Sequence, residues 1–168
     1  MPVATDLEFA EVQVGPALAV QLPGQCAPDP PSIGAAMRAA FDALGSFVNR
    51  HGLTPNGQPR AIYAAYGAGG VSFIVALPVV TGPPTAVDEP PIRVDTLGAT
   101  KAYRFTHHGP YTALAKTYDQ ITAFMKEKGW MQSEADWMRY MPMWEEYLND
   151  PETTPAAELA TYIYLPVA

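Results

Sequence analysis

Two adjacent carboxylates, Glu145 and Glu146, lie in a stretch of methionines and aromatic residues at positions 141–148. The side chains of a β-strand alternate between its two faces, so Glu145 and Tyr147 share one face with Met143. Desolvation in an aromatic concavity would raise the pKa of Glu145, and a cationic or hydrogen-bonding ligand would restore its charged form. The stretch therefore predicts a recognition carboxylate at Glu145. The alternative is that both glutamates lie at a solvated rim of the sheet.

Aromatic residues are abundant, with nine tyrosines, three tryptophans and six phenylalanines among 168 residues. Rings with a polar tip suit a pocket that receives flat, lipophilic ligands, although any single ring can equally serve core or rim packing. With the carboxylate, the predicted ligand-binding set is Glu145, Tyr147, Met143, Tyr63, Tyr103, Tyr164 and Trp137.

The other residues that could bind a metal, act as a nucleophile or hold a phosphate do not occur in the spacings that such sites require. His107 and His108 are adjacent, so they point to opposite faces of an extended segment, and no HxxxH or HExxH spacing occurs. The sequence has no GxSxG turn, no dinucleotide-binding GxGxxG and no P-loop. Cys26 has no second thiol to pair with, and we interpret it as a small, half-buried residue rather than a reactive thiol. We expect no metal and no cofactor.

The charge balance is acidic, with 10 Lys and Arg against 17 Asp and Glu and a net charge of −7. Because the basic residues are scattered, no patch for a phosphate backbone is expected, and nucleic acid is not expected as a direct partner. The first residues lack a basic segment followed by an apolar one, and no apolar run approaches the ~20 residues of a membrane span. These features predict one domain, residues 1–168, in a cytoplasmic protein without membrane contact.

Two amphipathic helices must position the candidate residues. The first has apolar residues at 33, 37, 41, 44 and 48, with Ser32 as N-cap and Gly52 just past its end. The second has them at 111, 114, 118, 121 and 125 and stops at Gly129. A short helix is predicted after Ser133, where Asp136 completes a capping box.

Strands flank both helices, and we predict them at 7–14, 17–22, 60–66, 71–77, 92–97, 101–107, 141–148 and 159–165. In the first strand the apolar positions change parity partway, which predicts a β-bulge or a bend. The glycine-rich stretch 67–70 predicts one hairpin turn, and Gly98-Ala99 predicts a second.

The order strand, strand, helix, strand, strand occurs twice, and each half ends on Leu-Pro-Val, at 77–79 and 165–167. We interpret this as a diverged duplication with repeats at about 7–80 and 91–168. The predicted fold is α+β, with two strand-helix-strand-strand units related by a pseudo-two-fold axis. They form an antiparallel sheet with two long helices on one face, and the candidate ligand-binding residues are expected on the side left open. The residues expected in the core are Phe41, Leu44, Leu114, Ile121 and Met125.

Three motifs together resemble one known family: residues 107–111 (HHGPY), residues 144–151 (WEEYLNDP) and residues 161–167 (TYIYLPV). They resemble the gyrase-inhibitor-like (GyrI-like) small-molecule-binding superfamily, which includes effector-binding domains of bacterial multidrug-responsive transcription regulators. The resemblance extends from about Leu7 to the end of the chain. It implies a duplicated strand-helix-strand-strand fold, in agreement with the duplication inferred above.

The resemblance also implies roles for particular residues. Glu145 matches the pocket carboxylate that recognises cationic aromatic drugs in the regulators. In family members that hydrolyse cyclopropane-containing electrophiles, a pocket glutamate and a tyrosine carry the reaction, which implies Glu145 as general base. Tyr147 is the nearest tyrosine in sequence, with Tyr63, Tyr103 and Tyr164 also within reach. Tyr162 stands where many relatives carry an acidic residue, so a different ligand polarity is expected.

Three functions follow as hypotheses. The first is a stand-alone cytoplasmic protein that binds a lipophilic or cationic aromatic molecule in a central cleft between the two halves. The second is a hydrolase of reactive cyclopropane-type electrophiles that uses Glu145 and Tyr147. The third is a protein-interaction module, in which the acidic surface meets a basic protein. The family-like region starts within the first ten residues, so we expect no helix-turn-helix and no operator binding by this chain.

Overall fold

The structure is a computed structural model that describes residues 7–81 and 89–167. The first six residues, on which the expectation of no leader segment rests, and residues 82–88, between the two predicted repeats, lie outside the described residues. No helix within the described ranges is both long enough and apolar enough to cross a membrane.

An antiparallel sheet of eight strands occupies the centre of the described structure. The strands are β1 (Glu8–Val14), β2 (Ala17–Cys26), β3 (Arg60–Gly67), β4 (Gly70–Pro78), β5 (Arg93–Leu97), β6 (Thr100–His108), β7 (Met143–Tyr147) and β8 (Ala160–Val167). Their order in the sheet is β1-β6-β8-β7-β3-β4-β2-β5. If each of β1, β2, β3 and β4 exchanges its label with β5, β6, β7 and β8 respectively, the new order read from the other end is the same as the original one. The predicted α+β class is confirmed, and a pseudo-two-fold axis passes between β3 and β7.

Two α-helices connect the strands, α1 (Pro30–Arg50) and α2 (Leu114–Glu127). The N-cap of α1 is Asp29 rather than the predicted Ser32, because the Asp29 carboxylate accepts the backbone N–H of Ser32 at 2.9 Å. Prolines then occupy the first two helical positions, where a missing N–H costs nothing. Gly52 and Gly129 follow the two helix ends with φ of 62° and 76°, as predicted.

Three 3₁₀ helices complete the described elements, at Tyr111–Ala113, Glu134–Tyr140 and Ala156–Glu158. The second is the predicted short helix after Ser133, and it is called the insert helix below. The carboxylate of Asp136 accepts the backbone N–H groups of Gln132 and Ser133, which fixes the start of this helix.

Both α-helices pack on the same face of the sheet, as predicted. Helix α1 lies over β2 and β4, and α2 contacts β6. The central strands β3 and β7 therefore lie between the two helices, and we call the region over these two strands the cleft. Leu44, Ile121 and Met125 are fully buried. Phe41 and Leu114, also expected in the core, are only half-buried, because they belong to the part of each helix that borders the cleft.

The predicted hairpin around Gly98-Ala99 is wrong. Strand β5 pairs with β2, whereas β6 pairs with β1 and β8. The first strand of each half thus lies against the other half. Two-residue linkers, Gly15-Pro16 and Gly98-Ala99, join strands at opposite ends of the sheet. Because such a linker spans at most about 11 Å, the sheet curls until its ends approach each other.

The bulge predicted in β1 is also absent. The pairing of β1 with β6 is continuous from Glu8 to Val14. The apolar pattern changes parity because Phe9 packs against the core under the helices, whereas Val12 and Val14 pack on the opposite face. A register shift occurs in β3 instead, between Tyr63 and Ala65.

The two Leu-Pro-Val segments are equivalent in the sheet. Pro78 of β4 pairs with Ala19 of β2, and Pro166 of β8 pairs with Ala102 of β6. This equivalence aligns β4 with β8 and thereby β3 with β7. The repeat boundaries themselves, 7–80 and 91–168, stay a prediction.

Candidate ligand-binding site

Glu145 lies on β7 at the floor of the cleft between α1 and α2, with 4% of its surface exposed. The expectation that it faces the helix-free side of the sheet is wrong, because its neighbours on β3 and β7 belong to the core beneath the helices. Glu146 points to the opposite face, where its carboxylate lies 3.5 Å from Arg60 Nε. The two carboxylates therefore occupy separate environments.

Glu145 lies beside the pseudo-two-fold axis. Three residues before the equivalent prolines, Val75 pairs with Ala61 and Ile163 pairs with Glu145. Ala61 is thus the counterpart of Glu145 in the first half, and these two residues also pair with each other across β3 and β7. Only one of the two equivalent positions carries a charge, so the cleft floor has a single carboxylate beside a methyl group.

Three phenol groups donate hydrogen bonds to this carboxylate. The Tyr147 hydroxyl donates to Oε1 at 2.7 Å, and the Tyr63 hydroxyl donates to the same oxygen at 3.5 Å. The Tyr118 hydroxyl of α2 donates to Oε2. Tyr63 and Tyr147 are counterparts under the alignment of the two halves, whereas Tyr118 comes from one helix only. A buried carboxylate is thereby satisfied entirely by uncharged donors.

Burial raises the pKa of the Glu145 carboxyl, and the hydrogen bonds from Tyr118, Tyr147 and Tyr63 oppose that rise. Burial and the negative charge of Glu145 raise the pKa of each phenol well above its usual value. The phenols therefore stay protonated donors.

His107 forms two hydrogen bonds near the start of α2. Its Nε2 hydrogen donates to the Pro110 carbonyl oxygen at 3.0 Å, which leaves Nδ1 to accept the Thr117 hydroxyl at 2.6 Å. These bonds tie the end of β6 to the turn that begins α2. Tyr111 in that turn packs edge-on against Tyr147, with ring centroids 5.5 Å apart.

The insert helix closes the other side of the cluster. Trp137 packs edge-on against Tyr118 at 5.8 Å between ring centroids. Its indole N–H donates to the Thr122 hydroxyl of α2 at 3.0 Å. Met143, the first residue of β7, pairs with Tyr63 and is 4% exposed. Trp137, Met143, Tyr63 and Tyr147 are thus brought together around Glu145.

Two candidates from the sequence do not join this cluster. Tyr164 lies on the helix-free face, stacked on Trp144 with ring centroids 4.7 Å apart. It occupies an even-numbered position, whose side chain must point away from the helices in β8. Tyr103 is on the helix side but stacks on Trp130 at 4.3 Å, near Phe9 at the end of the sheet.

Tyr118 is the site residue that the sequence reasoning placed only in the apolar stripe of α2. The signal was its hydroxyl, because a tyrosine within a buried stripe needs a hydrogen-bond partner. Within the described ranges, no group of three or more His, Cys, Asp or Glu side chains is close enough to hold a metal ion. The arrangement suits recognition of charge and aromatic shape.

Comparison with known proteins identifies a family. The sequence profile described as GyrI-like small molecule binding domain matches residues 68–168. No curated protein matches the chain by sequence.

Several solved structures share the fold. The crystal structure of the EcmrR C-terminal domain gives a TM-score of 0.76 at 16% identity, over 98% of this chain and 99% of that one. EcmrR in its cryo-EM complex with DNA gives 0.74 at 17% identity, covering 95% of this chain and 57% of that one. This chain thus spans little more than half of the longer EcmrR chain.

Two further solved structures share the fold at lower TM-scores. SAV2435 bound to tetraphenylphosphonium gives a TM-score of 0.62 at 14% identity, over 96% of this chain and 94% of that one. A hydrolase from Listeria innocua gives 0.57 at 14% identity, over 96% of this chain and 92% of that one. At these identities the likeness establishes the fold alone.

Proposed function

The chain belongs to the GyrI-like small-molecule-binding domain family, and we propose that it binds a lipophilic, cationic aromatic molecule in the cleft between α1 and α2. Glu145 recognises the positive charge, and the surrounding rings contact the apolar body of the ligand. A cytoplasmic location is part of this proposal, supported by the single cysteine, which has no partner within the chain for a disulfide.

The observation that carries the proposal is a buried carboxylate without a cationic partner. Among residues 7–81 and 89–167, no lysine or arginine forms an ion pair with Glu145. Buried carboxylates in folded proteins are normally paired with a cation or a metal. The three phenols satisfy the hydrogen-bonding capacity of Glu145 but carry no positive charge. A ligand cation would supply the missing charge.

The rings around Glu145 favour an aromatic or lipophilic cation over a strongly hydrated one. Tyr63, Tyr118 and Tyr147 contact the carboxylate directly, and Tyr111 packs against Tyr147. Aromatic faces attract cations, most strongly where water is excluded. Tetraphenylphosphonium, the ligand of the structurally similar SAV2435, is a lipophilic cation and supports the same ligand class.

The test compares a cationic probe with a neutral one. Wild type, Glu145→Gln and Glu146→Gln are titrated with tetraphenylphosphonium and with triphenylphosphine oxide. Glu145→Gln should weaken binding of the cation by about 1–3 kcal/mol, since a charge-assisted contact is lost, and should change binding of the neutral probe less. Glu146→Gln is the matched control, because it removes the same charge from the opposite face.

A second candidate function is supported by one contact, the 2.7 Å hydrogen bond between the Tyr147 hydroxyl and Glu145. In a hydrolase of cyclopropane-type electrophiles, water would add to the electrophilic carbon and pass its proton to Glu145. Tyr147 would protonate the oxygen that takes up the electron pair of the broken bond. The likeness to a hydrolase from Listeria innocua supports testing this reaction.

A hydrolysis assay on a cyclopropane-bearing electrophile separates the two functions. If the protein is such a hydrolase, Tyr147→Phe should lower kcat by about 10²-fold or more with little change in KM. Tyr162→Phe, on the opposite face of the sheet, should leave kcat unchanged. Equal cation affinity in wild type and Glu145→Gln, together with no turnover, would remove Glu145 from both roles. The protein-interaction function would then be the one left to pursue.

A further inference from the structure

A groove of about 630 Å³ opens beside the cleft, at the tip of the β3-β4 hairpin. Its lining includes Cys26, Tyr66, Val71 and Met138, together with the glycines of the hairpin turn. Strand β7 pairs with β3 only as far as Tyr63, whereas β3 continues to Gly67. The groove lies where β3 extends past its neighbour and the insert helix borders the gap.

Exposed apolar side chains concentrate at this groove. Within residues 7–81 and 89–167, three large apolar side chains are more than half exposed: Tyr66 at 52%, Met138 at 59% and Val80 at 55%. Two of these, Tyr66 and Met138, line the groove. Burial and the charge of Asp29 raise the pKa of the Cys26 thiol, so this lining residue is uncharged as well. Apolar surface gathered in a concave place is typical of a binding site.

A continuous chain of contacts joins the groove to Glu145. Met138 lines the groove, its neighbour Trp137 packs against Tyr118, and Tyr118 donates to Glu145. Along β3, Tyr66 lies five residues beyond Ala61, the cross-strand partner of Glu145. At ~3.3 Å per residue, Tyr66 lies roughly 16 Å along the strand from the partner of Glu145. A ligand of that length would span the distance between the two.

We propose that the groove is a second subsite of the cleft, which receives the flat apolar end of an elongated cation whose charged end lies at Glu145. The inference rests on the proposed function and specifies its ligand: an amphiphilic monocation about 16 Å long. Glu145 supplies one negative charge, and its counterpart Ala61 supplies none. The flexible thioether of Met138 adapts to rings of different shape.

The test compares an extended cation with a compact cation and with an extended probe that carries no charge. The extended cation is 6-(2-naphthyloxy)hexyl-trimethylammonium, the compact cation is benzyltrimethylammonium, and the neutral extended probe is 6-(2-naphthyloxy)hexanol. Their affinities are measured for wild type, Glu145→Gln, Met138→Ala, Tyr66→Ala and Val80→Ala. Met138→Ala is the cleanest groove variant, because the exposed side chain donates no hydrogen bond, whereas the Tyr66 hydroxyl donates to the Pro28 carbonyl. Val80→Ala is the matched control, an exposed apolar residue outside the groove.

Wild type should bind the extended cation more tightly than either other probe. Met138→Ala and Tyr66→Ala should weaken the extended cation about five- to thirty-fold and change the compact cation less than about two-fold. Val80→Ala should change neither, and Glu145→Gln should weaken both cations alike.

Two failures are distinguishable. If Glu145→Gln weakens both cations but the groove variants act equally on compact and extended probes, the groove is not a subsite while the proposed function stands. If wild type binds neither cation, or Glu145→Gln leaves both affinities unchanged, the proposed function fails and this inference fails with it.

Discussion

Glu145 shows how a single buried charge is maintained without a counter-ion. Hydrogen bonds from a neutral donor to a charged group contribute about 1.5–3 kcal/mol each, and Tyr147 and Tyr118 both provide one. These phenols satisfy the carboxylate oxygens from within the protein. On the proposed function, a bound cation would be stabilised by the negative charge of Glu145, so its binding would be linked to the protonation of Glu145.

This linkage gives a prediction for stability against pH. Burial raises the pKa of Glu145 above its ordinary value of 4.5, so the folded protein holds a proton that the unfolded chain releases. Wild type should therefore lose stability relative to Glu145→Gln as the pH rises above about 4.5 and through the folded pKa. Urea unfolding of both proteins between pH 4 and pH 8 measures the difference.

The control for this experiment is Glu152→Gln, which removes an exposed carboxylate. Its stability should track that of wild type over the same range. A wild-type stability that rises relative to Glu145→Gln with increasing pH would contradict the assignment of a raised pKa. Cation affinity should increase over the same pH interval in wild type and stay level in Glu145→Gln.

At the level of elements, two glycines, Gly24 and Gly45, differ in the space available around them. Gly24 of β2 lies opposite Phe73 of β4, and a Cβ added there would stand 2.5 Å from the phenylalanine ring. Phe73 is 3% exposed, so a shift of its ring would disturb the core packed around it. A Cβ added at Gly45, within α1, would meet nothing within 4 Å. The same substitution should therefore have opposite effects at these two positions.

Gly24→Ala should destabilise the protein by about 1–3 kcal/mol, because an extra methyl is forced into a filled space. Gly45→Ala should stabilise it by about 0.5–1 kcal/mol, because alanine loses less conformational freedom in a helix. Thermal or urea unfolding of the two variants beside wild type measures both changes. Equal shifts of the same sign would contradict the packing at Phe73.

At the level of the whole molecule, each half depends on the other for its sheet. Strand β1 pairs with β6, β5 pairs with β2, and β3 pairs with β7, so all three contacts join one half to the other. A half by itself would leave these edges unpaired, which favours aggregation. The cleft and its carboxylate exist only where the halves meet.

Two separate chains, residues 1–84 and 85–168, should therefore assemble when they are produced together. A tag on the first chain should retain the second through purification, and the affinity of the pair for tetraphenylphosphonium should equal that measured for the intact protein. Each chain produced alone should be insoluble or lack cooperative unfolding. A first half that is monomeric and unfolds cooperatively by itself would show that the exchanged strands are dispensable.

Much of the local organisation was predictable because it depends on near neighbours in the chain. The stripe of α1, the glycine after each helix and the turn at 67–70 follow from spacing and backbone preferences within a few residues. The two Leu-Pro-Val endings likewise predicted the duplication that appears in the strand order. Alternation along β7 placed Glu145 and Tyr147 on one face, opposite to Glu146.

Tertiary structure decided what joins residues far apart in sequence. Alternation shows that Tyr164 faces one side of β8, but only the packing of α1 and α2 decides which side is the cleft. Strand β5 pairs with β2 rather than with its neighbour β6, because the exchange buries the edges of both halves. The contact between Tyr118 and Glu145 likewise depends on tertiary packing. Periodicity describes the faces of a single helix or strand, whereas strand pairing and burial depend on how all the elements pack together.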